Sequence, residues 1–201
     1  MKLFYTPGAC SMAVHIALNE AGATYDLEKV DLEAKTLESG GNYLDINPKG
    51  YVPCMELDNG EHLTEVAALL QYVADNNPGA NLLPPVGDDA RYRVLETMNY
   101  ISTELHKNFS PLFNPASSDE QRQAAQDLIN LRLGLINEQL ASGANITGEQ
   151  FTIADAYLTT VLGWTQFINM DLSPWPNIGA YVGRSMGRPA VQATLKEEGL
   201  A

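Results

Sequence analysis

Cys10 is the residue with the most chemistry to offer. It follows Tyr5-Thr6-Pro7-Gly8-Ala9, a strand end and a Pro-Gly turn, and it opens a helical stripe. Its sulfur is therefore expected at a helix N-terminus, where unpaired amides and the helix dipole favour a thiolate by about 0.3 to 2 kcal/mol. The plain alternative is a small buried hydrophobe, the commonest role of a free cysteine. Two thiol chemistries are excluded by reading forward. A dithiol redox pair needs Cys at position 13, which is Ala13, and a phosphatase-type phosphate loop needs Arg where the chain has Ile16. Cys10 must therefore act on a thiol supplied from outside the chain. Cys54, the other cysteine, follows Pro53 and reads as buried and unreactive.

Two further segments could hold a ligand. Asn47-Pro48-Lys49-Gly50-Tyr51-Val52-Pro53 puts a proline at the start of a strand, one of the few places a sheet accepts it. A cis Val52-Pro53 bond would turn the Val52 amide and carbonyl outward, as an edge for an extended, peptide-like ligand. Glu65 stands at the opening of a later helix, where it either stabilises the dipole or holds a ligand ammonium. A third constellation is polar: Tyr92, Glu96, Asn99, Thr103 and His106 are spaced 4, 3, 4, 3 and share one helix face. Val94, Met98, Ile101 and Leu105 form an apolar face at the same spacing. A solvated face is the ordinary reading of such a stripe. His15 and His62 read as structural.

The elements that must position these residues follow from periodicity. Lys2–Tyr5 reads as strand, and Cys10–Ala21 as a helix stopped by Gly22. Tyr25–Leu32 is strand-like, and Lys35–Asn47 reads as a short irregular helical connection. Val52–Leu57 and Glu61–Leu63 flank Asp58-Asn59-Gly60 as a hairpin, and Thr64 caps a helix to about Asn76. The order β-α-β-α-β-β-α predicts one α/β sheet domain. Three prolines and a glycine between Asn76 and Val86 mark a linker. Beyond it the period is helical throughout: Asp88–Phe109, Asp119–Leu140, Thr152–Phe167, Asn177–Met186 and Pro189–Glu198. Thr152 and Asp155 have capping-box spacing with Phe151 as an apolar lid, so this motif starts a buried helix.

The composition narrows the partners. With 12 Lys+Arg against 25 Asp+Glu the net charge is −13, which repels nucleic acid and anionic membranes. No apolar run approaches a membrane span and no signal peptide is read, so the expected compartment is the cytoplasm. Two cysteines and three histidines offer no metal-ligand spacing, and no metal site is expected.

Taken in order along the chain, Tyr5-Thr6-Pro7-Gly8-Ala9-Cys10-Ser11, Asn47-Pro48-Lys49-Gly50-x-Val52-Pro53, Leu63-Thr64-Glu65 and Phe151-Thr152-Ile153-Ala154-Asp155-Ala156-Tyr157 resemble a cytosolic glutathione transferase, specifically of the bacterial beta class. The resemblance implies a thioredoxin-like N-terminal domain (1–78), a linker (79–86) and an all-helical C-terminal domain (87–201), in a homodimer. It implies glutathione as co-substrate with no other cofactor. On the same ground Cys10 meets the glutathione sulfur, Lys35 the glycine carboxylate end, Val52 the cysteinyl backbone, and Glu65 with the amide of Val66 the γ-glutamyl group. Val66 stands where the family often has Gly. Residues matching Asn99, Thr103, Glu104, Leu105 and His106, and sometimes Lys107, line the family's interdomain cleft, and Glu104 and Lys107 are the alternatives for a contact across the dimer interface. His106 joins Cys10 as a catalytic candidate, while Tyr5 and Ser11 are nearby but not needed as bases. The expected activity is conjugation of reduced glutathione to electrophilic, largely apolar substrates, with thiol-disulfide exchange at Cys10. The alternatives are a glutaredoxin-like thiol-disulfide oxidoreductase and a non-enzymatic binder of hydrophobic ligands.

Overall fold

The computed structural model describes residues 1–201. Its chain divides into two compact units, Met1–Pro85 with Gly187–Ala201, and Val86–Met186.

The first unit is built on a five-stranded sheet. Its strands are β1 (Lys2–Tyr5), β2 (Asp26–Asp31), β3 (Thr36–Leu37), β4 (Cys54–Glu56) and β5 (His62–Thr64), in the spatial order β3-β2-β1-β4-β5. β1 runs parallel to β2 with Leu3 opposite Leu27, and antiparallel to β4 with Leu3 opposite Met55. The β4–β5 hairpin pairs Met55 with Leu63 across the expected turn. Strand alternation sorts β1 between two layers. Phe4 joins Val30, Tyr43, Val52 and Cys54 in one buried cluster. Tyr5 turns the other way, onto His15 of α1 (Ser11–Ala21), with ring centroids 6.0 Å apart. Gly22 ends α1 in the left-handed conformation (φ 61°), as a Gly at C′ does at little cost. The helix α2 (Val66–Asn76) packs against α1. The stretch 35–47, expected to be irregular helix, is instead the short strand β3 followed by a single 3₁₀ turn, Tyr43–Asp45.

The second unit is helical. Its elements are α3 (Asp89–Tyr100), a π-helical segment (Ile101–His106), α4 (Lys107–Phe113), α5 (Asp119–Gln139), α6 (Ile153–Phe167) and α7 (Pro176–Met186). Every residue from Ile153 to Leu162 is buried, which makes α6 the axis of this unit. Its start is the capping box read from the sequence. Asp155 accepts from the Thr152 amide and hydroxyl (both 2.9 Å) and from the Ile146 amide (2.8 Å).

The expected helical domain ran to residue 201, but α8 (Pro189–Glu197) belongs to the first unit and packs on α1. The reason is polar. His15, wholly buried, sets Nδ1 against Glu198 (2.9 Å) and Nε2 against Glu197 (2.7 Å). Arg188 forks onto Glu20 through Nε (2.6 Å) and Nη2 (2.8 Å), and Asn19 donates to Thr194 (3.0 Å). No helix of the chain is long and apolar enough to cross a membrane.

Candidate functional site

Cys10 is the N-cap of α1, half-buried, and makes no side-chain cap of its own. Its thiol donates to the Val52 carbonyl at 3.2 Å. The loop that carries it is fixed from both sides. Ser11 Oγ accepts from the Thr6 amide (3.2 Å) and donates to the Thr6 carbonyl (3.3 Å), while the Gly8 amide donates to the buried carboxylate of Glu198 (2.8 Å). Ser11 is thereby committed to holding the turn. Burial first, and Glu198 and other carboxylates next, push the Tyr5 phenol above its ordinary range, which removes it from proton transfer near neutral pH. Cys54 is fully buried, and burial pushes its thiol up to about 11, so it stays protonated.

The segment from Asn47 to Val52 reaches each of the other candidate groups in this unit. A turn closed by Gly50 N–H to Asn47 O (2.9 Å) presents the Gly50 carbonyl to Lys35 Nζ (2.9 Å). Gly50 is needed there, since with φ at +66° a Cβ would lie 3.1 Å from Leu44 and 3.5 Å from the Lys35 stem. The Tyr51 carbonyl accepts from the Tyr43 hydroxyl and from Asn47 Nδ2, both at 2.7 Å. The Val52–Pro53 bond is cis. Lys49 Nζ meets Thr64 Oγ1 at 2.9 Å and Glu65 Oε1 at 2.8 Å.

The N-cap of α2 was expected at Thr64, but it is Glu65, with φ at +75° and no side-chain cap. A left-handed backbone costs a non-glycine residue about 1 to 3 kcal/mol. The Lys49–Glu65 pair is exposed (53% and 71%), and such pairs contribute about 0 to 1 kcal/mol. The ion pair therefore does not account for the backbone geometry.

In the second unit the expected stripe breaks at its end. Tyr92, Glu96, Asn99 and Thr103 are exposed, and Val94, Met98, Ile101 and Leu105 are buried. From Ile101 the backbone bonding shifts to i→i+5, which rotates the later residues relative to an α-helix. His106 consequently leaves the stripe. Its Nδ1 lies 2.7 Å from the Tyr157 hydroxyl, and its ring sits edge-on to Trp164 at 4.8 Å. Burial, with Lys107 adding a like charge, lowers its pKa to about 4, so it is neutral at physiological pH. Thr103 Oγ1 donates to the Asn99 carbonyl (3.1 Å), Glu104 pairs with Arg132 (2.7 Å), and the Leu105 side chain is core.

Sequence reasoning missed three contributors. Glu198 supports the Cys10 loop from 190 residues away, and Lys49 pairs with Glu65 across a loop; neither leaves a local pattern. The third is an aromatic cluster, Phe109, Phe113 and Trp164, with centroids 5.5 to 6.2 Å apart. Phe109 and Trp164 are buried and Phe113 is 47% exposed, so the cluster reaches the surface through that one ring. The helical spacing 109 and 113 was the available signal for it.

Comparison with known proteins agrees with this geometry. The model for the N-terminal domain of glutathione S-transferases matches residues 8–76, and the model for their C-terminal domain matches residues 100–189. Glutathione S-transferase GstA of Escherichia coli O157:H7 is 47% identical over the full length of both chains. Among solved structures, BphK, a bacterial glutathione S-transferase in a ternary complex, is 53% identical with a TM-score of 0.98 over all of both chains. The bacterial beta-class glutathione S-transferase of Sphingomonas chungbukensis is 47% identical with a TM-score of 0.97, again over all of both chains. With its thioredoxin-like first unit and helical second unit, the chain belongs to the glutathione S-transferase family, transferases that use glutathione as co-substrate, and within it matches the bacterial beta class.

Proposed function

We propose that the chain holds reduced glutathione along the Asn47–Val52 segment, with its sulfur at Cys10, and transfers that sulfur to electrophilic, largely apolar substrates. The observation that carries this reading is the convergence of one short segment on Lys35, Cys10 and Glu65. Lys35 takes the glycine carboxylate, the Val52 main chain pairs with the cysteinyl unit as an added strand would, and Glu65 with the Val66 amide takes the γ-glutamyl group. A cysteinyl N–H that pairs with the Val52 carbonyl displaces the Cys10 thiol from it, leaving the α1 N-terminus to stabilise sulfur anions. In conjugation the glutathione sulfur forms a bond to carbon, the leaving group departs with its electron pair, and the thiol proton passes to solvent. Asn99, Thr103, Glu104, Leu105 and His106 belong to the same reading as glutathione contacts.

The same placement of Cys10 supports a second reaction. Its thiolate attacks oxidised glutathione, one sulfur–sulfur bond breaks as another forms, and one glutathione leaves as thiolate. Assembly as a homodimer is supported by α5, where Leu128, Leu131 and Leu135 lie exposed at helical spacing (41%, 59% and 50%). The acidity and the absence of a membrane-crossing helix fit a cytoplasmic location.

Turnover measured over aryl halides, epoxides, peroxides and glutathione mixed disulfides tests the reading. Conjugation of at least one electrophile is expected. Tight binding of a hydrophobic dye with no turnover of any of them would return the chain to a ligand-binding role.

A further inference from the structure

We propose that Lys49 is a specificity residue for the transferase reaction, reading the α-carboxylate of the γ-glutamyl group while Glu65 reads its ammonium. The inference rests on the reading that places the γ-glutamyl end at Glu65. Lys49 has three N–H bonds; one goes to Thr64 Oγ1 and one to Glu65 Oε1, leaving one donor. Glu65 uses Oε1 on Lys49, leaving Oε2 as an acceptor. One free donor and one free acceptor of opposite charge thus stand side by side on an ion pair 2.8 Å long. A free α-amino acid headgroup carries an ammonium and a carboxylate on a single carbon, in the complementary arrangement.

Glu65 with the Val66 amide would still read that headgroup poorly, because a single neutral N–H does not offset a full negative charge. Any pose that brings the ammonium to its carboxylate also brings the ligand's own carboxylate close to it, and like charges repel at that range. Lys49 cancels the repulsion and adds a charge-assisted bond. It is held for this task, because its backbone N–H donates to Asn47 Oδ1 (3.2 Å) inside the turn that ends at Gly50, and its ammonium has two anchors. That same turn presents Gly50 O to Lys35. One loop therefore carries or orients two lysines, and glutathione has two carboxylates, one at each end. In a chain of net charge −13 these local cations are what make an anionic ligand welcome.

Calorimetry on the full chain with two ligands tests the assignment: reduced glutathione, and γ-aminobutyryl-cysteinyl-glycine, which lacks only the α-carboxylate. The unsubstituted chain is expected to bind glutathione about tenfold more tightly than the analogue. Lys49→Met should lose about that factor for glutathione, leave the analogue unchanged and abolish the discrimination, and Lys49→Arg should restore much of it. Tighter glutathione binding by Lys49→Met would show that Lys49 competes with the ligand ammonium, and undiminished discrimination would show that it does not read the carboxylate; either overturns the proposal. Glu65→Gln separates this from the reading beneath it. If Glu65→Gln weakens both ligands while Lys49→Met is silent, only the role of Lys49 fails. If Glu65→Gln is silent too, the γ-glutamyl end does not lie at Glu65 and both fail.

Discussion

The helix starts of the two units are made differently. In the second unit α5 opens on a complete capping box, Ser118 with Gln121, and α6 on another, Thr152 with Asp155, while Asp88 caps α3. In the first unit α1 opens on Cys10 and α2 on Glu65, and neither side chain bonds its own helix. Capping by Ser, Thr or Asp contributes about 0.5 to 2 kcal/mol, so the first unit forgoes that stability at the two places where candidate ligand-binding residues stand. In the second unit the side chains at the starts of α3, α5 and α6 close their helices. Those in the first are turned outward, to a carbonyl and to a lysine.

Four substitutions or titrations break or sharpen this contrast, ranked by their effect on folding. Asp155→Ala removes the acceptor of the Thr152 amide and hydroxyl, the Ile146 amide and the Tyr181 hydroxyl, all buried. It should lower unfolding free energy by about 3 to 4 kcal/mol in urea melts, while the folded fraction still binds glutathione with unchanged affinity. A loss below about 1 kcal/mol would mean the capping box is dispensable.

The next effect is His106. Its folded pKa of about 4 lies below the unfolded value of about 6.5, so the unfolded chain takes up the proton first. Its contribution is fully present above pH 6.5 and is lost as pH falls toward 4, about 3 kcal/mol in all. His106→Gln should flatten the stability profile in that window. Identical slopes for the two proteins would place the imidazole in a wetter site.

Glu65→Gly should act in opposite directions on the two properties. Relief of the positive φ should raise unfolding free energy by about 1 kcal/mol, while loss of the carboxylate should weaken glutathione binding by about 2 kcal/mol. Lower stability with unchanged affinity would make Glu65 a plain structural residue. Cys10→Ala should change stability least, by under about 0.5 kcal/mol, because no cap is lost. Intact mass spectrometry after exposure to oxidised glutathione should show one glutathionyl group on the unsubstituted chain and none on this variant. An adduct that persists in Cys10→Ala would move the reactive thiol to Cys54.

Local patterns made much of this legible. Strand β1, the hairpin around Asp58-Asn59-Gly60 and the box at 152–155 follow from alternation, turn chemistry and cap spacing within a few residues. The candidate site was legible in part, since Cys10 follows a strand and a Pro-Gly turn and is indeed the N-cap of α1. What stayed hidden depends on partners far along the chain or on a change of helical phase. The sequence from Ile101 to His106 keeps its apolar spacing through the π-helical segment, so nothing in it announces that His106 turns onto Trp164. The ion pair of Lys49 with Glu65 depends on where a loop and a hairpin end meet, and the period of α8 is the same whichever unit it joins.

The carboxylate of Glu198 has a consequence for the order in which the protein is made. The Gly8 amide and the His15 ring both find their acceptor only after the whole second unit has left the ribosome. The unit translated first is thus the last to close, while the second, continuous from Val86 to Met186, has all its contacting residues in hand earlier. Contacts separated by more than 180 residues also carry the largest loop-closure cost in the chain. The Cys10 loop, closed locally by Ser11 on Thr6, therefore gains its last hydrogen bond, and His15 its two carboxylates, only once α8 has docked.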